Sequence, residues 1–353
     1  MEEKKHQRRP HYSGKYPKKF SEKYKEQNPL KYADTINKVI SKGSTPAGMH
    51  IPIMVDEILE KLAIKPGEKG LDCTLGYGGH STKMLEKLKG KGHLYALDID
   101  PIEIEKTKER IAQRGFGENL FTAIHTNFRN IDKVALEYGK FDFLLADLGV
   151  SSMQIDDPKR GFSYKIDGPL DLRMNPEQGE PASERLKNLT KEELIGMFVE
   201  NSDEPYADKI ATEIVRIQKK GQIIDTTTAL RELIYNVVCN QKDIKNLPEK
   251  EQKEFAKKSC ARVFQALRID VNSEFEVLYD FLEKLPEVLA DGGRAVILTF
   301  HSGEDRMVKK AFKSYSKTGE FECSKDVIRP SKEECFRNPR AHSTKLRWII
   351  KKK

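Results

Sequence analysis

Apolar residues in this 353-residue chain fall into short clusters, and from about His50 onward the clusters alternate between two spacings. Contiguous apolar runs bounded by turn residues predict strands: one ending at Cys73, then His93 to Asp98, Leu120 to His125, Phe141 to Asp147, Ala295 to Phe300 and Leu346 to Ile350. Apolar positions three and four apart predict helices from Ser81 to Leu88 and from Ile102 to Arg114. The same spacing puts Phe275, Leu278, Phe281, Leu282, Leu285 and Leu289 on one face of a helix over Asn272 to Leu289, kinked at Pro286. Asp291-Gly292-Gly293 then turns the chain into the next strand. Such alternation predicts an α/β fold of βαβ units with a doubly wound parallel sheet.

Between Asp147 and Asn272 no strand alternates with the helical stretches Lys191 to Val199, Ala207 to Gln218 and Thr228 to Val238. The pattern predicts one α/β domain, residues 46–155 and 259–353, interrupted by a mainly helical insertion over 156–258. Residues 1–45 are rich in Lys, Tyr, Pro and Ser without apolar periodicity, and predict a disordered extension with a short helix near Tyr32 to Ile40.

Charge changes the picture once it is located. The net charge is +8, but residues 1–45 carry +7 and residues 306–353 carry +10, which leaves −9 for the stretch between. A basic extension interleaved with Tyr12, Tyr16, Phe20, Tyr24 and Tyr32 suits a polyanion, with Lys and Arg displacing counterions and rings stacking on bases. A solubilising tail has the same composition. No apolar run approaches the roughly 18 residues of a membrane span, and the charged start Met1 to Pro10 lacks the apolar core of a secretory signal, so a soluble cytoplasmic protein is expected. Cys73, Cys239, Cys260, Cys323 and Cys335 are scattered and never spaced C-x-x-C, which points to reduced thiols and to no metal site.

The richest chemistry lies in Asp72-Cys73-Thr74-Leu75-Gly76-Tyr77-Gly78-Gly79-His80-Ser81, between the first strand and the first helix of the sheet. Glycines there let backbone approach a ligand, and the second strand ends in Asp98, at the distance where an acid accepts hydrogen bonds from a ribose. Dinucleotide dehydrogenases and S-adenosylmethionine enzymes share that geometry, but the turn is not the G-x-G-x-x-G that a pyrophosphate favours. Asp147-Leu148-Gly149-Val150-Ser151-Ser152-Met153-Gln154 ends the fourth strand, where open α/β sheets bind ligands. Its carboxylate is placed to accept a hydrogen bond from an exocyclic amine, or simply to cap the next turn.

With Gly78-Gly79-His80, the Asp-Leu-Gly-Val-Ser-Ser run from Asp147, Arg160-Gly161-Phe162-Ser163, Phe264-Gln265-Ala266-Leu267-Arg268-Ile269 and Asn338-Pro339-Arg340-Ala341 together and in order, the chain resembles the 16S ribosomal RNA cytosine-N4 methyltransferases over nearly everything after residue 48. The resemblance implies a Rossmann-like class I methyltransferase sheet and an S-adenosyl-L-methionine site at Gly78, Gly79, His80, Asp98, Phe128, Asp147 and Gln154. It further implies direct methyl transfer to cytosine N4 in 16S rRNA of the small ribosomal subunit, with Asp147 as the catalytic candidate and no membrane partner, by a monomer or homodimer. Arg160, Arg173, Arg268, His301 and Arg306 are expected to line the RNA side, together with Asp171, Asn272, Ser302, Glu304 and Asp305. For the buried ones a salt-bridged scaffold is the competing reading. Cys73, set in the first strand without a preceding Pro, is not expected to act as a nucleophile. Three features depart from the family pattern: Gly303 where Leu is usual, Asn201-Ser202-Asp203 for a more typical Tyr-Gly-Glu, and the long basic extension. They leave room for a paralogue acting on another RNA. Two other readings stay open, an oxidoreductase on the same sheet and an RNA-binding assembly factor with a relic cofactor site.

Overall fold

Strand and helix alternate in space as they do along the chain. The computed structural model describes residues 52–353; the extension and short helix expected before residue 46 lie outside the described residues. Helix α1 (Val55–Leu62) leads into β1 (Lys69–Asp72), α2 (Gly79–Leu88), β2 (His93–Asp98), α3 (Pro101–Gln113), β3 (Phe121–His125), α4 (Ile131–Tyr138) and β4 (Phe141–Asp147). Asp100 starts α3 by accepting the Ile102 and Glu103 amide hydrogens, and Pro101 at the first helical position needs no hydrogen-bond partner for its nitrogen. A helical region follows: α5 (Ser152–Asp156), α6 (Ala182–Asn188), α7 (Lys191–Ser202), α8 (Ala207–Lys219), α9 (Thr227–Cys239) and the long α10 (Glu249–Asn272). The chain returns through α11 (Glu274–Val288), β5 (Leu289–Thr299), α12 (Ser302–Thr318), β6 (Phe321–Cys323), α13 (Lys332–Arg337) and β7 (Lys345–Lys351).

The sheet has seven strands in the order β3-β2-β1-β4-β5-β7-β6. β1 to β5 run parallel, while β7 lies antiparallel between β5 and β6. The last strand therefore departs from the all-parallel expectation. No crossover helix is required to place an antiparallel neighbour, so the alternation rule does not reach this end of the chain. Asp291-Gly292-Gly293 also differs from its expected role as a turn. It lies inside β5 as a bulge, where pairing jumps from Phe141 opposite Leu289 to Phe143 opposite Arg294. A Cβ at Gly293 would stand 2.7 Å from the Ala290 carbonyl oxygen, so only glycine fits the kink.

Apolar residues of α1, α2 and α3, including Ile58, Met84, Leu85, Ile104 and Ile111, cover one face of the sheet. Ile131 and Val134 of α4, Phe281 and Leu285 of α11 and Phe312 of α12 cover the other. A third cluster, from Phe162 to Leu267, fills the helical region. Helix α10 contributes Ala256, Cys260, Val263, Phe264 and Leu267 to that cluster and runs unbroken past position 258. Among the described residues no helix is long and apolar enough to cross a membrane.

Candidate active site

The turn between β1 and α2 is pinned from below by a buried carboxylate. Asp72 accepts from Ser81 Oγ at 2.6 Å and from the Thr74 amide at 3.1 Å, tying the start of α2 back to the strand it follows. Gly76 and Gly78 hold positive φ, at 47° and 78°, and a Cβ on Gly78 would come within 2.7 Å of Thr107 Cγ2. Helix α3 grips the same turn from the side. Thr107 Oγ1 donates to the Gly76 carbonyl at 2.6 Å, and Arg110 donates to the Tyr77 carbonyl at 2.8 Å with its guanidinium 3.7 Å above the Tyr77 ring. Asp98, at the end of β2, closes the cradle: Oδ2 accepts the Gly76 N–H at 2.7 Å and Oδ1 the Asp100 N–H at 2.9 Å. Burial pushes its carboxyl up to about 6 against those two amides.

Asp147 stands at the end of the neighbouring strand, with its own N–H donated to Thr74 Oγ1 at 2.8 Å. Burial, joined by Asp72 and Glu304, outweighs His80 and pushes its carboxyl up to about 6. Oδ2 lies 3.4 Å from His80 Nδ1, while Oδ1 is buried without a hydrogen-bond partner among the described residues. His80 Nε2 is 2.9 Å from the Ile53 carbonyl, so that nitrogen carries a hydrogen and the ring is held with Nδ1 toward Asp147. Gln154 serves two elements: its Oε1 accepts the Ser151 N–H at 2.9 Å in the capping box of α5, and its Nε2 donates to Asp100 at 3.2 Å. Phe128, just past β3, is half-buried and meets Phe281 edge to face at 5.4 Å. Cys73 is buried, and burial raises its thiol well above the ordinary range, as expected of a non-nucleophile.

Carboxylates that burial keeps from ionising freely, with one oxygen lacking a partner, fit a cationic ligand better than an anionic one. Asp72, Asp98 and Asp147 set at the carboxyl edge of three adjacent strands therefore suit a sulfonium-bearing nucleoside and not a pyrophosphate.

Three of the four arginines expected on the RNA side are committed to carboxylates within the fold. Arg160 donates to fully buried Asp100 at 2.7 Å and to the Arg173 and Met174 carbonyls. Arg173 forms a two-pronged pair with Asp171 at 2.8 Å on each side, and Arg268 does the same with Glu274 at 2.7 and 2.8 Å. Asn272 accepts the Met174 N–H and donates to the Leu172 and Arg268 carbonyls. Asp305 receives Lys345 and Arg347. His301 stands at the N-terminus of α12, close to Glu304. Arg306 is exposed and has no ion pair among the described residues. It opens a stripe that single-residue reasoning missed: Arg306, Lys309, Lys310, Lys313 and Lys317 recur at helical spacing on α12, all exposed and unpaired among the described residues. The signal was available in the i, i+3, i+4, i+7 spacing of these cations. Asn201-Ser202-Asp203 ends α7 against α10, with Asn201 donating to the Ala266 carbonyl and Gln265 to that of Asn201.

Residues 47–352 match the model of the MraW methylase family. The chain belongs to the MraW methylase family. It is 65% identical over 98% of its length to the ribosomal RNA small subunit methyltransferase H 1 of Lachnoclostridium phytofermentans, of which it covers 93%. It is 62% identical to the protein of the same name from Agathobacter rectalis, with 99% of each chain covered. Both alignments take in most of the basic extension. The ribosomal RNA small subunit methyltransferase H of Fusobacterium nucleatum is 40% identical over 85% of this chain and 96% of its own. Membership makes this chain an S-adenosylmethionine-dependent methyltransferase, and its sheet is the Rossmann-like sheet of that class, with β7 antiparallel near one edge. The open alternative of an oxidoreductase is thereby removed.

Proposed function

We propose that this enzyme transfers the methyl group of S-adenosylmethionine to the exocyclic N4 of a cytosine in 16S rRNA of the small ribosomal subunit. The observation that carries the reading is near full-length identity to relatives named for methylation of small-subunit ribosomal RNA. Gly78, Gly79 and His80 present the turn, Asp98 the ribose acceptors, Phe128 and Gln154 the walls of the cofactor site. Each Asp98 oxygen uses one lone pair on a backbone amide and keeps one for a hydroxyl. The cofactor supplies an activated methyl group on a positive sulfur.

An exocyclic cytosine amine is a weak nucleophile because its lone pair is delocalised into the ring, so positioning carries much of the catalysis. The unpartnered Oδ1 of Asp147 is the acceptor that would fix the amine. Accepting one N–H localises the lone pair and aims it along the line of transfer. Exposed Arg306, Lys309, Lys310, Lys313 and Lys317 offer the phosphate backbone a track that begins beside the same strand ends.

The test is methyl transfer from labelled cofactor to small subunits from cells lacking the gene, followed by nucleoside analysis and mapping. N4-methylcytosine at one 16S position is expected. Label on another base, or RNA binding without turnover, overturns the reading, the second outcome in favour of an assembly factor.

A further inference from the structure

His301 lies just beyond the carboxyl end of β5, one strand over from Asp147. In the β4–β5 ladder Asp147 is opposite Leu298, and Leu148 N–H donates to the Leu298 carbonyl, so both residues leave the sheet at the same edge. The imidazole is mostly enclosed, with its side chain 11% exposed. Nε2 lies 3.1 Å from Glu304 Oε1, and both ring nitrogens are buried without a hydrogen-bond partner among the described residues.

Charged and aromatic groups surround it from three helices. Glu304, on the same helix, accepts the Phe300 N–H at 2.8 Å. From α11 come Glu274 and Phe275, whose ring centre is 5.7 Å from that of His301. From α10 comes Arg268, both prongs of which are on Glu274. Arg268 and Glu274 neutralise each other, and Glu304 is left beside the imidazole with an unbalanced charge. Burial pushes Glu304 up, but His301, Arg268 and the Phe300 amide together hold it below the usual carboxylate range. Ligand-type atoms of Glu274, His301 and Glu304 lie within 4.8 Å of one another, yet both Glu274 oxygens are already taken by Arg268. The guanidinium therefore competes with a metal ion for Glu274.

We infer that His301 is the proton acceptor of the methyl transfer, oriented by Glu304; this rests on the cytosine-N4 reading. With hydrogen on Nε2 facing Glu304, Nδ1 presents a lone pair. The amine nitrogen forms its bond to the methyl carbon as the carbon–sulfur bond breaks and its electron pair leaves on sulfur. The methylated nitrogen is left with a positive charge and a surplus hydrogen. That N–H bond breaks toward Nδ1, Glu304 balances the imidazolium, and water removes the proton afterwards. Gly303 adds no side chain against the ring: a Cβ there would stand 3.2 Å from Nδ1 and 2.7 Å from Phe275 Cζ.

The experiment uses the full-length enzyme on small subunits lacking the modification, at saturating cofactor and RNA, across pH. Wild type should form N4-methylcytosine at a rate that climbs with pH to a plateau. His301→Ala should lower kcat about a hundredfold with KM little changed, lose the climb, and recover in part with added imidazole. Glu304→Gln, which keeps the shape, should lower kcat less, and a chelator should change nothing. If His301→Ala keeps kcat within about threefold and retains the climb, the proton belongs to Asp147 and the inference falls. Loss of rate with chelator, restored by zinc, overturns it in favour of a metal. Should His301→Ala fail to fold, unchanged kcat in Glu304→Gln overturns the dyad. A wild type that makes no N4-methylcytosine overturns the underlying reading instead, a result distinct from all of these.

Discussion

A carboxylate that burial raises to about 6 works against the fold that holds it. Asp147 has an ordinary value of 3.8 in an unfolded chain and titrates near 6 in the fold. Between those values the folded state keeps a proton that the unfolded state has released, so stability falls as pH rises through that window and stays lowered above it. The gap between them corresponds to roughly 3 kcal/mol at most. Asp147→Asn should therefore raise the melting temperature of the cofactor-free enzyme at pH 7.5 and change it little at pH 4, while methylation at saturating cofactor collapses. A variant no more stable at pH 7.5 than the wild type would mean the carboxyl is not strained. Asp98 poses a second question at this scale. Because it holds the Gly76 amide as well as offering a ribose acceptor, Asp98→Ala should weaken cofactor binding by roughly tenfold to a hundredfold. Wild-type affinity by calorimetry would remove it from the site.

Helices here are legible by spacing until the chain asks one face to do two jobs. Phe275 shares the apolar spacing of α11, yet the buried face of that helix comprises Val277, Leu278, Phe281, Leu282, Leu285 and Val288. Phe275 instead leans over His301, in space that a side chain at 303 would otherwise fill. Helix α12 divides its work differently, burying Val308 and Phe312 while lining its outer face with cations. Charge reversal at Lys309 and Lys313 should weaken binding to small subunits and reduce the slope of log affinity against log salt by about 0.7 to 0.9 per lost phosphate contact. Turnover at saturating RNA and the modified nucleotide should not change. An unaltered slope in a salt series would show that the stripe faces water.

At the scale of the molecule, the helical region and the sheet are joined through a buried charge. Asp100 caps α3 while Gln154 and Arg160 converge on its other oxygen, and Arg160 also holds the Arg173 and Met174 carbonyls. Removing the guanidinium leaves a carboxylate with no exposure and no cation, so Arg160→Ala should destabilise the enzyme by roughly 3 kcal/mol or more in urea unfolding. Lysine cannot reproduce the fork and should rescue little. If Arg160→Ala keeps its stability and loses RNA affinity, the residue faces the substrate instead. Deleting residues 1–45, which carry +7, should raise the apparent KM for RNA without changing the target, with a kinetic salt series as the check.

The pattern of apolar and polar positions alone determined the strands His93–Asp98 and Phe141–Asp147 to the residue, and placed the glycine turn, Asp98 and Asp147 at strand ends. Those features depend on local periodicity and on backbone geometry that only certain residues tolerate, and both are written in neighbouring positions. The antiparallel direction of β7, the bulge at Asp291-Gly292-Gly293 and the partner of each buried charge were decided in three dimensions. Arg160 meets Asp100 sixty residues away, and Arg268 is paired within its own neighbourhood to Glu274, so neither guanidinium announces from its place in the chain whether it faces RNA or a carboxylate. His301 shows the same division most sharply. Its position after a strand is readable, but the enclosure that leaves both ring nitrogens without a hydrogen-bond partner among the described residues is built by three helices whose meeting no stretch of sequence encodes by itself.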